Sequence, residues 1–215
     1  MRTCYKYEVC VMSFRSISPY LIAATLAAVV SLLPARAAEM SVTADGRTLV
    51  ITGFIQEWDH CVTARLLAAN PGIRQARINS PGGQAWAGAY IGRLFGWAGL
   101  EAVVPKGAVA DSAAGVAVLG APRRVIVGQV GLHGPWLSRP DQSPLSRITL
   151  AETAAEMSSV LELGGMPPER IYRAMKTARD GLYRIDGAMA GSFHHRGKPD
   201  SAMIERTAAI CRAIS

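Results

Sequence analysis

Ile78-Asn79-Ser80-Pro81-Gly82-Gly83 closes a strand-like run that begins at Gln75, and this junction decides how the chain is read. Two glycines directly after a strand let the backbone turn freely and approach a ligand closely. Their amide protons can then face a developing negative charge. On the N-terminal side, Ser41-Val42-Thr43 and Thr48-Leu49-Val50-Ile51 flank the turn signal Asp45-Gly46 and read as strands. Glu57 to Ala69 has helical spacing through Val62, Leu66 and Leu67, and Asn70-Pro71-Gly72 stops it. On the C-terminal side, Ala85 to Ala98 reads as a helix with Ile91, Leu94 and Phe95 on one side. Glu101 to Pro105 is a strand, Ser112 to Leu119 a short helix of small residues, and Arg124 to Val127 and Val130 to His133 are strands. Helices follow at about 149–163, 168–178 and 200–213. Strands alternating with helices imply right-handed β-α-β crossovers and a mainly parallel sheet. The fold class is α/β, with a helical C-terminal third.

The chain has 215 residues. Its first forty stand apart. Arg15 precedes an uncharged run from Tyr20 to Leu33, followed by Pro34 and Ala35-Arg36-Ala37-Ala38. A basic flank, a short apolar stretch and small residues before a break make a secretory signal over 1–37, with cleavage after Ala37 or Ala38. The run falls short of the ~20 apolar residues that span a bilayer as a helix, so contact with a membrane is expected only through an uncleaved signal segment. The expected location is periplasmic or secreted. Residues 38–215 then form one ordinary domain.

Without residues 1–37 the chain keeps 19 basic and 15 acidic residues, a net of +4. Arg123-Arg124 is a pair and not a patch, which argues against nucleic acid as a partner. Cys4 and Cys10 leave with the signal, so Cys61 and Cys211 remain, either as one disulfide or as two separate thiols. No C-x-x-C or clustered His/Cys spacing suggests a metal, and no cofactor is expected.

Three further segments join the glycine turn. In Gly107-Ala108-Val109-Ala110-Asp111-Ser112-Ala113-Ala114-Gly115 a serine opens a helix of Ala and Gly, so its hydroxyl is uncrowded. The Ala113 amide falls in the first helical turn, where N–H groups lack internal partners and favour an anion. Gly131-Leu132-His133-Gly134-Pro135 ends a strand on a histidine, and Thr177-Ala178-Arg179-Asp180 follows later.

Together these four segments resemble the serine peptidase subunit of the Clp protease and its relatives in the crotonase-like superfamily. A closer similarity is to exported, ClpP-like bacterial proteins. The similarity spans roughly residues 48–186. It implies a ClpP/crotonase-like domain of repeated β-β-α units, with Ser112 as nucleophile, His133 as base and Asp180 as orienting acid. Gly83 and Ala113 would supply the oxyanion amides, with Gly82 at the substrate. Asp186 competes with Asp180 as third member.

A serine hydroxyl is a poor nucleophile until a base within reach takes its proton, which is why the chemistry needs these residue types. Lys106, six residues before Ser112, offers a serine-lysine alternative, and His133 is the better base. Asp111 departs from the small or apolar residue expected beside the nucleophile; it can cap the helix, and its charge would oppose an oxyanion. His194-His195 and His60 beside Asp59 read as surface groups. The Pro- and Ser-rich segment from Trp136 to Ser146 reads as a substrate-side flap or an oligomer contact.

The expected function is that of an exported serine hydrolase, a peptidase acting on a peptide or protein substrate through an acyl-enzyme and without ATP. The resemblance also implies a homo-oligomer. The alternative is a catalytically silent module that binds a peptide or protein in the same cleft. An acyl-CoA enzyme of the crotonase type fits an exported chain poorly, and no basic cluster stands ready for the CoA phosphates.

Overall fold

The computed structural model describes residues 38–136 and 144–213, except the side chains of 144–146. The segment read as a signal and residues 137–143 of the proposed flap lie outside them. Strand β1 (Glu39–Val42) and β2 (Thr48–Thr52) form the hairpin expected around Asp45-Gly46, paired antiparallel with Val42 opposite Leu49. The carboxylate of Asp45 accepts from the Thr43 hydroxyl (2.6 Å) and the Arg47 amide (3.0 Å), an arrangement that fixes the turn.

From β2 the chain enters α1 (Asp59–Ala69), returns as β3 (Gln75–Asn79), crosses through α2 (Ala85–Ala98) to β4 (Glu101–Val104), and reaches β6 (Arg123–Ile126). These strands make one sheet in the order β1-β2-β3-β4-β6, parallel from β2 onward. In β2 and β3 the inward positions Leu49, Ile51, Ala76 and Ile78 are fully buried. Period-2 burial on a sheet covered by helices is what β-α-β crossovers produce.

A second sheet was not foreseen. β5 (Val109–Asp111), β7 (Gln129–Leu132) and β8 (Tyr183–Ile185) stand side by side, β5 and β7 parallel, β7 and β8 antiparallel. A bridge from Ser80 to Ala110 joins it to the end of β3. The remaining helices are α3 (Ala113–Gly120), α4 (Pro144–Leu163), α5 (Pro168–Lys176), α6 (Gly187–Gly191) and α7 (Ser201–Ala213). The C-terminal third is helical as expected, interrupted by β8.

What holds α3, and with it Ser112, is close helix packing on α2. Gly88, Gly92 and Gly96 recur every fourth residue and so share one face of α2. A Cβ at Gly88 would strike the Ala113 carbonyl, and one at Gly120 would lie 2.7 Å from the Gly92 Cα. The two backbones touch, and α3 is buried along its whole length.

Two side-chain staples close the domain. Cys61 and Cys211 are joined as a disulfide, with Cα atoms 5.4 Å apart, tying α1 to α7. Arg124 turns inward from β6 while its apolar neighbour Val125 is 43% exposed. Its guanidinium donates to the carbonyls of Leu119, Gly164, Ala190 and Phe193 (2.6–3.3 Å). Burial pushes its pKa down to about 10. Among the described residues, no helix is long and apolar enough to cross a membrane.

Candidate active site

Ser112 sits between β5 and α3, as its N-cap, with φ 55° and ψ −122°. It is the one non-glycine residue with positive φ among the described residues. An L-residue in this region carries strain of roughly 1–3 kcal/mol and stays there only when the surroundings fix it. Here they do. The Ser112 amide donates to the Gly131 carbonyl (2.7 Å), Asp111 N donates to Ser80 O (3.1 Å), and the Val116 amide donates back to Ser112 O (3.1 Å). The strand, the serine and the helix are pinned separately, so the junction between them bears the turn.

Gly82 and Gly83 pack against this junction with φ of 100° and 144°. A Cβ at Gly82 would lie 2.5 Å from the Asp111 carbonyl oxygen and 2.7 Å from the Ser112 Cβ, and one at Gly83 would run into the Ile55 carbonyl. Only glycine fits either position. Ile55 N donates to Gly82 O (2.8 Å) and Gln84 N donates to Ile55 O (2.9 Å), which leaves the Gly83 N–H on the side away from Ile55. The Ala113 N–H, in the first turn of α3, has no intrahelical acceptor.

Ser112, Gly83 and His133 line one cavity of about 530 Å³, together with Phe54, Trp86 and Trp136. His133 is 8% exposed, at the end of β7. Its Nδ1 lies 2.7 Å from the Gly134 carbonyl oxygen. Ser112 and His133 share this cavity, and among the described residues no hydrogen bond joins the Ser112 hydroxyl to the ring. The guanidinium of Arg179 stacks on the Trp136 ring, 3.5 Å from its centroid.

Several expectations change here. Gly82 lies behind Ser112 and does not line the cavity, because its close packing on the serine and its carbonyl bond to Ile55 face the protein. Asp180 is exposed in the turn after α5, and no hydrogen bond places it on His133. Asp186 is the N-cap of α6, accepting from the Met189 amide (2.6 Å). Lys106 faces a separate cavity with Arg77 and Asn79.

Asp111 neither caps α3 nor lines the cavity; its carboxylate pairs with Arg184 of β8 (2.7 Å). Sequence reading missed Arg184, because the partnership runs across β7. His195 is half-buried against Gly96 and Gly197, and burial lowers its pKa; His194 is exposed as expected. Asp59 is buried and accepts from the Gln56 amide (2.7 Å), with burial raising its pKa. His60 is half-buried between Trp58 and Tyr90, 3.5 Å from the Cys61 sulfur, and burial lowers its pKa. His60, Cys61 and Cys211 bring three ligand-type atoms together, but the two sulfurs are bonded to each other.

No family model and no curated protein matches the chain. Among solved structures, a mutant of ClpP1 from Listeria monocytogenes superposes on 68% of this chain and 86% of its own, with a TM-score of 0.52 and 16% sequence identity. The fold is ClpP-like. At this identity the similarity speaks for the path of the backbone, and the ClpP-like fold here carries its own side chains. The mixed α/β architecture, the mostly parallel sheet and the C-terminal helices belong to that fold.

Proposed function

We propose that this chain is an exported serine hydrolase, a peptidase that works through an acyl-enzyme on Ser112 without ATP. The observation that carries the reading is Ser112, held at positive φ on the mouth of α3, in one cavity with His133 and Gly83. Strain of this kind persists where it serves a site.

The Ser112 Oγ attacks the substrate carbonyl carbon while His133 Nε2 takes its proton. The oxyanion that forms accepts from the Gly83 and Ala113 amides. Each such donor is worth roughly 10²–10³ in turnover in characterised hydrolases. The C–N bond then breaks, and His133 returns the proton to the leaving amine. Water activated by the same imidazole releases the acyl group and restores the serine. The pairing of Asp111 with Arg184 keeps its negative charge from opposing the oxyanion. Asp180, the acid that the resemblance implies, is exposed and takes no catalytic role in this mechanism; Gly134 N donates to Thr177 O (3.2 Å), so the segment that precedes Asp180 runs beside His133.

The aromatic walls of the cavity, Phe54, Trp86 and Trp136, suit an apolar substrate side chain. Export rests on the signal-like residues 1–37, and self-association on the resemblance. One observation favours a second reading, a silent peptide-binding module: among the described residues no hydrogen bond joins Ser112 to His133. Turnover of an activated peptide ester decides between them. Hydrolysis by the folded chain that disappears in Ser112→Ala and falls at least 100-fold in His133→Ala supports the enzyme. Binding of peptide without turnover supports the module.

A further inference from the structure

Resting on this reading, we infer that the Gly134 main-chain carbonyl, and not a carboxylate, orients the His133 imidazole. The Nδ1–O distance is 2.7 Å, and a carbonyl oxygen can only accept. Nδ1 therefore carries the proton. That leaves a lone pair on Nε2, the tautomer a general base requires.

Glu152 lines the same cavity, but among the described residues no hydrogen bond joins it to the ring. The two carboxylates that the resemblance offers are placed elsewhere. Asp180 is exposed and not bonded to the ring, and Asp186 caps α6. The Gly134 backbone, by contrast, packs on the C-terminal end of α5: Gly134 N donates to Thr177 O (3.2 Å), and a Cβ at Gly134 would run into the Met175 carbonyl. The carbonyl itself belongs to the next peptide, to Pro135, whose ring disfavours the helical region for Gly134. On the other side, β7 anchors the histidine, with Leu132 paired to Tyr183. The segment containing Asp180 thus acts as a positioning element through its backbone. A carbonyl sets the tautomer and the ring plane but adds no net charge beside the imidazolium.

The test is ¹⁵N NMR of histidine-labelled protein at alkaline pH, where imidazoles are neutral, on wild type and Asp180→Asn, with His133→Gln for assignment. The expected result is an Nδ1–H tautomer for His133 in both proteins. An Nε2–H tautomer, or a change of tautomer in Asp180→Asn, overturns the inference. Kinetics give an independent reading. Asp180→Asn should keep kcat/KM within about threefold, where loss of an orienting aspartate costs about 10⁴ in turnover in the trypsin-type triad. A loss of that size in a folded variant overturns the inference as well. The tautomer is readable in an inactive protein: an Nδ1–H ring with no turnover refutes the enzyme reading and leaves the carbonyl's role standing.

Discussion

Replacing Ser112 by glycine should leave the protein more stable than replacing it by alanine. Both substitutions remove the hydroxyl, so the comparison isolates the backbone. At an ordinary position in a helix or strand, glycine is worse than alanine by roughly 0.5–1 kcal/mol, because the unfolded chain gains freedom. At φ 55°, ψ −122°, alanine keeps a Cβ in a conformation that costs roughly 1–3 kcal/mol, and glycine does not. The difference spans about 0–2.5 kcal/mol, with a midpoint of about 1.2 kcal/mol in favour of Ser112→Gly, reversing the usual order. For a domain of this size the midpoint amounts to roughly 3–5 °C in Tm. Thermal and urea unfolding of both variants with the disulfide intact would measure it. Equal stability, or a more stable Ser112→Ala, would show that the junction holds no strain and remove the physical basis for singling out this serine.

Removing the Cys61–Cys211 bond, which closes a loop of 150 residues, should cost up to about 5 kcal/mol by loop-closure entropy, read as a lower urea midpoint for the Cys61→Ala/Cys211→Ala pair. Gly120→Ala would gain helix propensity on the surface of a peptide, but here the added methyl meets the Gly92 backbone at 2.7 Å, so a loss of roughly 1–3 kcal/mol is expected. Burial lowers the pKa values of both His60 and His195, so the unfolded chain takes up protons first as pH falls. Stability should be full above about pH 6.5 and decline as pH drops through the folded values, with Asp59 opposing it further down, in the carboxylate range. A Tm profile from pH 8 to 5 that is no flatter in His60→Gln/His195→Gln would contradict this.

The alternation of strands and helices was legible because the large apolar residues sit where period and burial agree, as in Leu49, Ile51 and Ile78. Ser112, His133 and Gly83 were legible because their neighbours are unusual: two glycines after a strand, a serine among alanines, a histidine between glycines. What stayed hidden depends on partners far along the chain. β5 and β8 are three residues each and exist only as neighbours of β7. Arg124 reverses the expected pattern of β6, pointing inward because four carbonyls need a donor there. The small face of α2 was present as glycine at every fourth position, yet the apolar side at Ile91, Leu94 and Phe95 drew the reading. The charge of Asp111 looked disruptive until Arg184 came to face it across β7.

The most direct measurement is intact-mass and peptide mapping after reaction of the folded chain with a fluorophosphonate. One adduct per chain, located on Ser112, absent in Ser112→Ala and strongly slowed in His133→Ala, is the result predicted for an alcohol activated by an imidazole in this cavity. A folded chain that stays unmodified, or carries its adduct on another residue, would contradict it.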